Sequence, residues 1–152
     1  MKFFYNLFVS LYPGIIGLAS LWNPKAKLWV NGRKDQFKRL EEALQKSNQP
    51  LIWFHCASLG EFEQGRPVIE KVRTTFKNYK ILLTFFSPSG YDIRRDYKDV
   101  DFVYYLPNDT YNNARQFIRI VKPRAVFFVK YEFWHYYLTG LQKRSVPTVL
   151  VS

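Results

Sequence analysis

Five short apolar runs, at 51–55, 81–86, 102–106, 125–129 and 148–151, recur along the chain, and a stretch of helical character separates most of them. Uninterrupted Val, Leu, Ile and Phe read as strands buried on both faces, not as strands with one wet side. The intervening stretches carry the opposite signal. Over 59–76 the residues Phe62, Ile69, Val72 and Phe76 share one helical face. Ser87 followed by Pro88 is a helix start, with the serine as cap and the proline in the first turn. Asp109 is expected to cap a helix lined on one side by Ala114, Phe117, Ile118 and Val121, and a further helix is predicted over 133–141. Strand then helix, repeated, predicts an α/β fold with a Rossmann-like parallel sheet. The fifth strand has no helix after it, and parallel strands want both faces covered, so a further domain is expected beyond Ser152.

The front of the chain is different. From Phe3 to Pro24 no residue is charged, which is about the roughly 20 residues a helix needs to cross a bilayer. Asn6, Ser10, Pro13, Gly14 and Gly17 weaken it as a spanning segment, so a helix lying in the membrane interface stands beside a true span. A cleaved signal peptide fits poorly, with Lys2 as the only early charge and no good small-residue cleavage site. Lys25, Lys27, Arg33, Lys34, Lys38, Arg39 and Lys46 follow, against Asp35, Glu41 and Glu42. A basic cluster next to an apolar stretch, with Trp22 and Trp29 as interfacial residues, places the rest of the chain in the cytoplasm. The organisation expected is therefore a hydrophobic membrane anchor at 1–24, a basic juxtamembrane helix at 25–49 and a Rossmann-like domain at 50–152, with a helix near 35–45.

The formal net charge of +11 favours polyanionic partners, whether nucleic acid, anionic membrane or phosphorylated substrates. Because the cations cluster behind the apolar stretch and do not interleave with aromatics on a sheet face, nucleic acid is not expected. One cysteine, Cys56, excludes an internal disulfide, and with two separated histidines, His55 and His135, it argues against structural zinc. Neither G-x-G-x-x-G nor a P-loop occurs, so dinucleotide and NTPase chemistry lack support. His55 and Cys56 are neighbours on a strand, point to opposite faces and cannot work as a pair.

Ligands of open parallel sheets bind beyond the carboxyl ends of the strands. The residues placed there are His55 to Glu61, Ser87 to Gly90, Asn108 to Thr110 and Lys130 to Trp134. Each cluster has a structural explanation. Ser58-Leu59-Gly60-Glu61 matches a capping box, Ser87 a helix cap and Asp109 another. Glu132 is harder to account for, because a carboxylate between Tyr131 and Phe133 at the mouth of an apolar strand must stay solvated, be paired or have a task.

Taken in order, His55-Cys56-Ala57-Ser58-Leu59-Gly60-Glu61-Phe62, Leu83-Thr84-Phe85-Phe86-Ser87-Pro88-Ser89-Gly90, Tyr105-Leu106-Pro107-Asn108-Asp109, Lys122-Pro123-Arg124 and Glu132-Phe133-Trp134 resemble the 3-deoxy-D-manno-octulosonic acid (Kdo) transferases of lipopolysaccharide synthesis. The segment from Trp29 to Lys34 resembles their front end. The resemblance implies the N-terminal half of a glycosyltransferase B fold, in which this domain takes the lipid A precursor (lipid IVA) and a C-terminal domain, absent here, holds most of the donor CMP-Kdo. It implies transfer with inversion, Glu61 as general base, Glu132 as a second acidic position stabilising developing positive charge, and Ser58, Gly60, Ser87, Ser89 and Asp109 around the acceptor. No metal and no cofactor beyond the donor substrate are expected. The partners implied are the lipid A precursor and anionic membrane lipids, at the cytoplasmic face of the inner membrane. Two alternatives remain at this point: a non-catalytic basic membrane-binding module, and a glycosyltransferase B enzyme for a different sugar.

Overall fold

In the computed structural model, which describes residues 2–130 and 133–152, the five apolar runs are strands β1 (Leu51–Cys56), β2 (Lys80–Phe85), β3 (Phe102–Tyr105), β4 (Ala125–Val129) and β5 (Thr148–Val151). All four pairings are parallel, and the order is β3-β2-β1-β4-β5. Seven helices are described: α1 (Lys2–Ala19), α2 (Pro24–Gly32), α3 (Gln36–Gln45), α4 (Leu59–Thr75), α5 (Pro88–Arg94), α6 (Tyr111–Val121) and α7 (His135–Gln142).

Alternation along the strands builds two cores. Leu51, Trp53, Leu82, Val126 and Phe128 face Leu40 of α3, Phe117 and Ile118 of α6 and Tyr137 and Leu141 of α7. Ile52, Phe54, Cys56, Ile81, Leu83 and Phe85 face Phe62, Ile69 and Val72 of α4. The period of two thus puts Cys56 in one core, while His55 turns to the other side. There its Nδ1 lies 2.9 Å from Thr84 Oγ1, which also accepts from Trp53 Nε1 at 2.7 Å. Phe76 is a correction to the helical face expected over 59–76: it is the C-cap residue of α4 and 47% exposed.

The charged stretch behind α1 is two helices. The single helix expected over 25–49 is broken after Gly32, and the start of α2 has plain signals: Asn23 Oδ1 accepts from the amides of Lys25 and Ala26, and Pro24 occupies the first turn. It ends at Gly32, where an added Cβ would lie 2.1 Å from the Tyr105 ring, so only glycine fits beneath that ring. The chain then turns through Asp35 in the left-handed region and enters α3.

Among the described residues no helix is long and apolar enough to cross a membrane. α1 has 18 residues, about 27 Å at the usual rise, and Asn6, Ser10 and Pro13 interrupt its apolar character. It packs along the domain instead. Val9 is buried and Tyr5, Tyr12 and Ile16 are half-buried on its inner side. Phe4, Phe8, Leu11, Ile15 and Leu18 are each at least 53% exposed on an outer side.

Candidate functional site at the carboxyl edge of the sheet

Sequence order reverses at β1, whose neighbours are β2 and β4, and the loops leaving β1 and β4 therefore diverge to opposite faces. That divergence opens a crevice at the carboxyl edge. Glu61 stands in the first turn of α4, the helix leaving β1. It is half-buried, and its Oε2 accepts from the Ser58 amide at 2.9 Å, completing a capping box with Ser58. The bond fixes the direction of Glu61 at the helix start, and the side chain is half-buried there.

Gly60, beside it, is exposed, and a Cβ there would meet nothing closer than Ser58 Oγ at 4.0 Å. Packing does not explain this glycine. It does explain Gly65 one turn further, where a Cβ would lie 2.7 Å from Val129. The loop after β2 is joined to the loop after β1 by the Ser87 amide donating to the Ala57 carbonyl at 2.8 Å. Ser87 Oγ caps α5, accepting from the Ser89 amide, and lies 2.9 Å from Ser89 Oγ. Ser58, Gly60, Glu61, Ser87 and Ser89 are thus brought to one edge by two adjacent loops.

Asp109 is placed differently. It is fully buried, and its carboxylate accepts from the amides of Tyr136 and Tyr137, both at 3.0 Å, and from the Tyr5 hydroxyl. It holds the first turn of α7 and clamps α1 to the domain. Burial pushes its carboxyl up from the ordinary range, against the lowering effect of those three donors. Its expected role as cap of α6 belongs to Thr110, whose Oγ1 accepts from the Asn113 amide at 3.2 Å. Glu132 and its neighbour Tyr131 lie outside the described residues. Among the described residues no group of three or more His, Cys, Asp or Glu side chains could hold a metal ion.

The edge also contains a residue that sequence reasoning had counted among the surface cations. Arg33 is inserted between rings, its guanidinium carbon 3.8 Å from the Trp29 ring centre, 4.5 Å from Tyr105 and 4.9 Å from Phe86. Its Nη2 donates to the carbonyls of Phe86 at 2.8 Å and Leu106 at 3.2 Å, the residues directly after β2 and β3. Burial pulls its pKa down to about 9, which leaves it charged at neutral pH. Arg33 therefore ties two site loops together. The only hint in the sequence is its place in a run that also holds Trp29 and Gly32.

Trp134, at the start of α7, closes the edge on the other side, with its ring centre 5.8 Å from His55 and 4.9 Å from Phe86.

The sequence has relatives among known proteins. The family model described as 3-deoxy-D-manno-octulosonic-acid transferase (kdotransferase) matches residues 32–152. A 3-deoxy-D-manno-octulosonic acid transferase of Chlamydia muridarum is 29% identical over 126 residues, which is 82% of this chain and 29% of the relative. The protein of the same name from Aquifex aeolicus is 31% identical over 108 residues, 70% of this chain and 29% of the relative. That of Haemophilus influenzae is 28% identical over 102 residues, 66% of this chain and 24% of the relative. The chain spans less than a third of the length of each of these proteins.

Proposed function

The chain belongs to the 3-deoxy-D-manno-octulosonic-acid transferase family, and from that premise we propose that it is the acceptor side of an enzyme moving Kdo from CMP-Kdo to the lipid A precursor. The donor site is assigned to the part of the relatives that this chain does not match. The observation that carries the reading is the position of Glu61: first turn of the helix leaving β1, where strand order reverses, with Ser58, Gly60 and Ser87 beside it.

The chemistry proposed needs one base on the attacking face. As the acceptor oxygen bonds to the anomeric carbon of the donor, its proton passes to the Glu61 carboxylate. The bond from that carbon to the phosphate oxygen breaks with its electron pair, and CMP departs. Attack opposite the leaving group inverts the centre, so a second carboxylate is not needed as nucleophile. Glu132 is proposed to stabilise positive charge developing at the anomeric carbon. The short side chains of Ser58, Ser87 and Ser89 and the open face of Gly60 leave room for a sugar at the helix end. No metal or cofactor is invoked.

The location proposed is the cytoplasmic face of the inner membrane, with α1 lying in the interface. Its outer side is apolar over an arc wider than the roughly 100° of an ordinary amphipathic helix. The exposed Lys25, Lys27, Lys34 and Lys38 stand on α2, on α3 and in the turn between them, suited to anionic headgroups and to the phosphates of the acceptor.

The test is complementation of a Kdo-transferase-deficient strain with the full-length gene, paired with CMP-Kdo turnover by the purified full-length protein. Transfer of Kdo to the lipid A precursor is the expected result. Turnover with a different nucleotide sugar and none with CMP-Kdo would overturn it. One observation favours a second reading: the capping box alone could account for Glu61, in which case the chain is a basic membrane module without catalysis.

A further inference from the structure

A small cavity of about 120 Å³ lies where α1 meets the carboxyl edge of the sheet. Phe8, Val9 and Tyr12 of α1 form one wall, and Phe86 and Trp134 are opposite. The ring centres of Tyr12 and Phe86 are 5.9 Å apart and those of Phe86 and Trp134 are 4.9 Å apart, so the walls are a continuous aromatic surface. Asn108 and Asp109 also border it; the Asp109 oxygens already accept from Tyr5, Tyr136 and Tyr137, while Asn108 Oδ1 and Trp134 Nε1 are buried without a hydrogen-bond partner among the described residues.

The cavity connects two surfaces that have each been described separately. Phe8 lines it and is also 64% exposed on the outer apolar side of α1. Phe86 lines it and directly precedes Ser87, one of the residues at the candidate site. The cavity therefore lies between the outer face of α1 and the residue that precedes Ser87. Its accessible wall is almost entirely carbon, which suits an apolar occupant better than a water needing two to four polar partners. The exposed Lys25 and Lys27 are on α2, which packs against α1.

We infer that this cavity receives part of one alkyl chain of the membrane amphiphile whose anionic headgroup is the acceptor, so that Phe8, Val9, Tyr12, Phe86 and Trp134 form a chain-reading subsite. The inference deepens the transferase reading and rests on it for the identity of the amphiphile. The cavity holds a short length of chain, not the whole of it, so it reads the segment near the headgroup. Each methylene it shelters is worth ~0.8 kcal/mol, about fourfold in affinity. Chain length should therefore matter steeply over a few methylenes and then cease to matter.

Two measurements on the full-length protein test this. The first is kcat/KM for a series of acceptors differing in chain length, in detergent without bilayer. The expected result is about a fourfold gain per methylene over the short end of the series, followed by a plateau. Val9→Phe, which fills the cavity, should flatten that rise. Phe8→Ala changes an exposed residue that folding does not require, and should also reduce it if Val9→Phe proves unstable. A flat wild-type series, or an unaltered rise in both variants, overturns the inference. The second is fluorescence quenching by a single-chain alkyl phosphate carrying bromine on its chain, below its micelle concentration. Emission should be quenched in the wild type and less so in Trp134→Phe. Equal quenching in the two proteins overturns the subsite. If no acceptor in the series is turned over, the transferase reading fails, and the quenching still decides whether the cavity takes a chain.

Discussion

Glu61 has two candidate tasks, tying down its own helix and accepting a proton, and one substitution separates them. Glutamine retains an oxygen that can accept from the Ser58 amide, now 2.9 Å from Glu61 Oε2, so Glu61→Gln keeps the capping box. What it loses at the helix start is the favourable charge near the amide dipoles, about 0.3–1 kcal/mol. Glu61→Ala loses that and the cap bond, about 1–2 kcal/mol in all. A base behaves differently. Removing it costs about 10²–10⁴ in rate, or ~3–5 kcal/mol on the barrier, and glutamine is no better a base than alanine. Transfer by the full-length protein should therefore fall by at least about a hundredfold, and equally, in both variants. Their unfolding midpoints should separate, with Glu61→Gln close to wild type. The KM for the acceptor should move little in Glu61→Gln, because the shape of the edge is preserved. Two results would refute this reasoning. One is Glu61→Gln retaining wild-type turnover; the other is activity following stability across the two variants.

Three further outcomes are expected. Gly60→Ala should stabilise the domain by about 0.4–1 kcal/mol, since its Cβ would meet only Ser58 Oγ at 4.0 Å, while Gly65→Ala, driven against Val129 at 2.7 Å, should cost about 1–3 kcal/mol. Transfer assays should show Gly60→Ala slower despite its stability, and equal activity would remove Gly60 from the acceptor side. Asp101 feels burial, which raises its pKa, but Lys80 at 2.8 Å, Arg73 and the Ile81 amide at 2.8 Å outweigh it and hold the carboxyl below its ordinary value. A depressed native pKa means stability that is present above the unfolded value of about 3.9 and lost as pH falls through the native one. The stability gap between wild type and Asp101→Asn should thus be level from about pH 5 upward and shrink under acid titration; a gap that widens there would contradict the sign. Arg33→Lys should cost about 1–3 kcal/mol in denaturant titration, because an ammonium cannot stack between three rings while reaching two carbonyls. An unchanged midpoint would show that the guanidinium is not what joins those loops.

The sheet was readable because its information is local. A strand buried on both faces must be apolar throughout, and β1, β2 and β4 are within a residue of where their composition put them; β5 is also where its composition put it, but Thr148, Val149 and Leu150 are exposed, a correction to its expected burial. The buried side of α6, Ala114, Phe117, Ile118 and Val121, follows from a 3.6-residue period in the same way. Ser58, Gly60, Glu61, Ser87 and Ser89 could be placed at the sheet edge from sequence because they sit directly after strands, and parallel topology gathers strand ends. What failed to show was non-local. Asp109 next to Thr110 offers two possible caps for α6, and Thr110 takes that role because Asp109 is engaged by Tyr5, 104 residues away, and by the start of α7. Arg33 looks like one more cation in a basic run until the chain folds and brings Phe86 and Leu106 to it from 53 and 73 residues away. The choice between crossing and lying for α1 was likewise undecidable locally, since an apolar helix shows its inner side only when something packs against it.

These non-local contacts converge on the edge that holds the proposed base. Arg33 joins the loops after β2 and β3 from below α2, and Asp109 joins the start of α7 to α1. Tyr136 adds a second link between the same two helices, its hydroxyl donating to Asn6 Oδ1 at 2.5 Å. A helix held at both Tyr5 and Asn6 keeps a fixed direction relative to the sheet. In the proposed placement its outer face would then set how the sheet meets a membrane surface. A carboxylate at that edge and a lipid whose sugar hydroxyls lie at that surface would share a plane set by the fold, and proximity would contribute to the reaction before any chemistry begins. That is why the clamp residues, which touch no substrate in this scheme, belong to the function as much as Glu61 does.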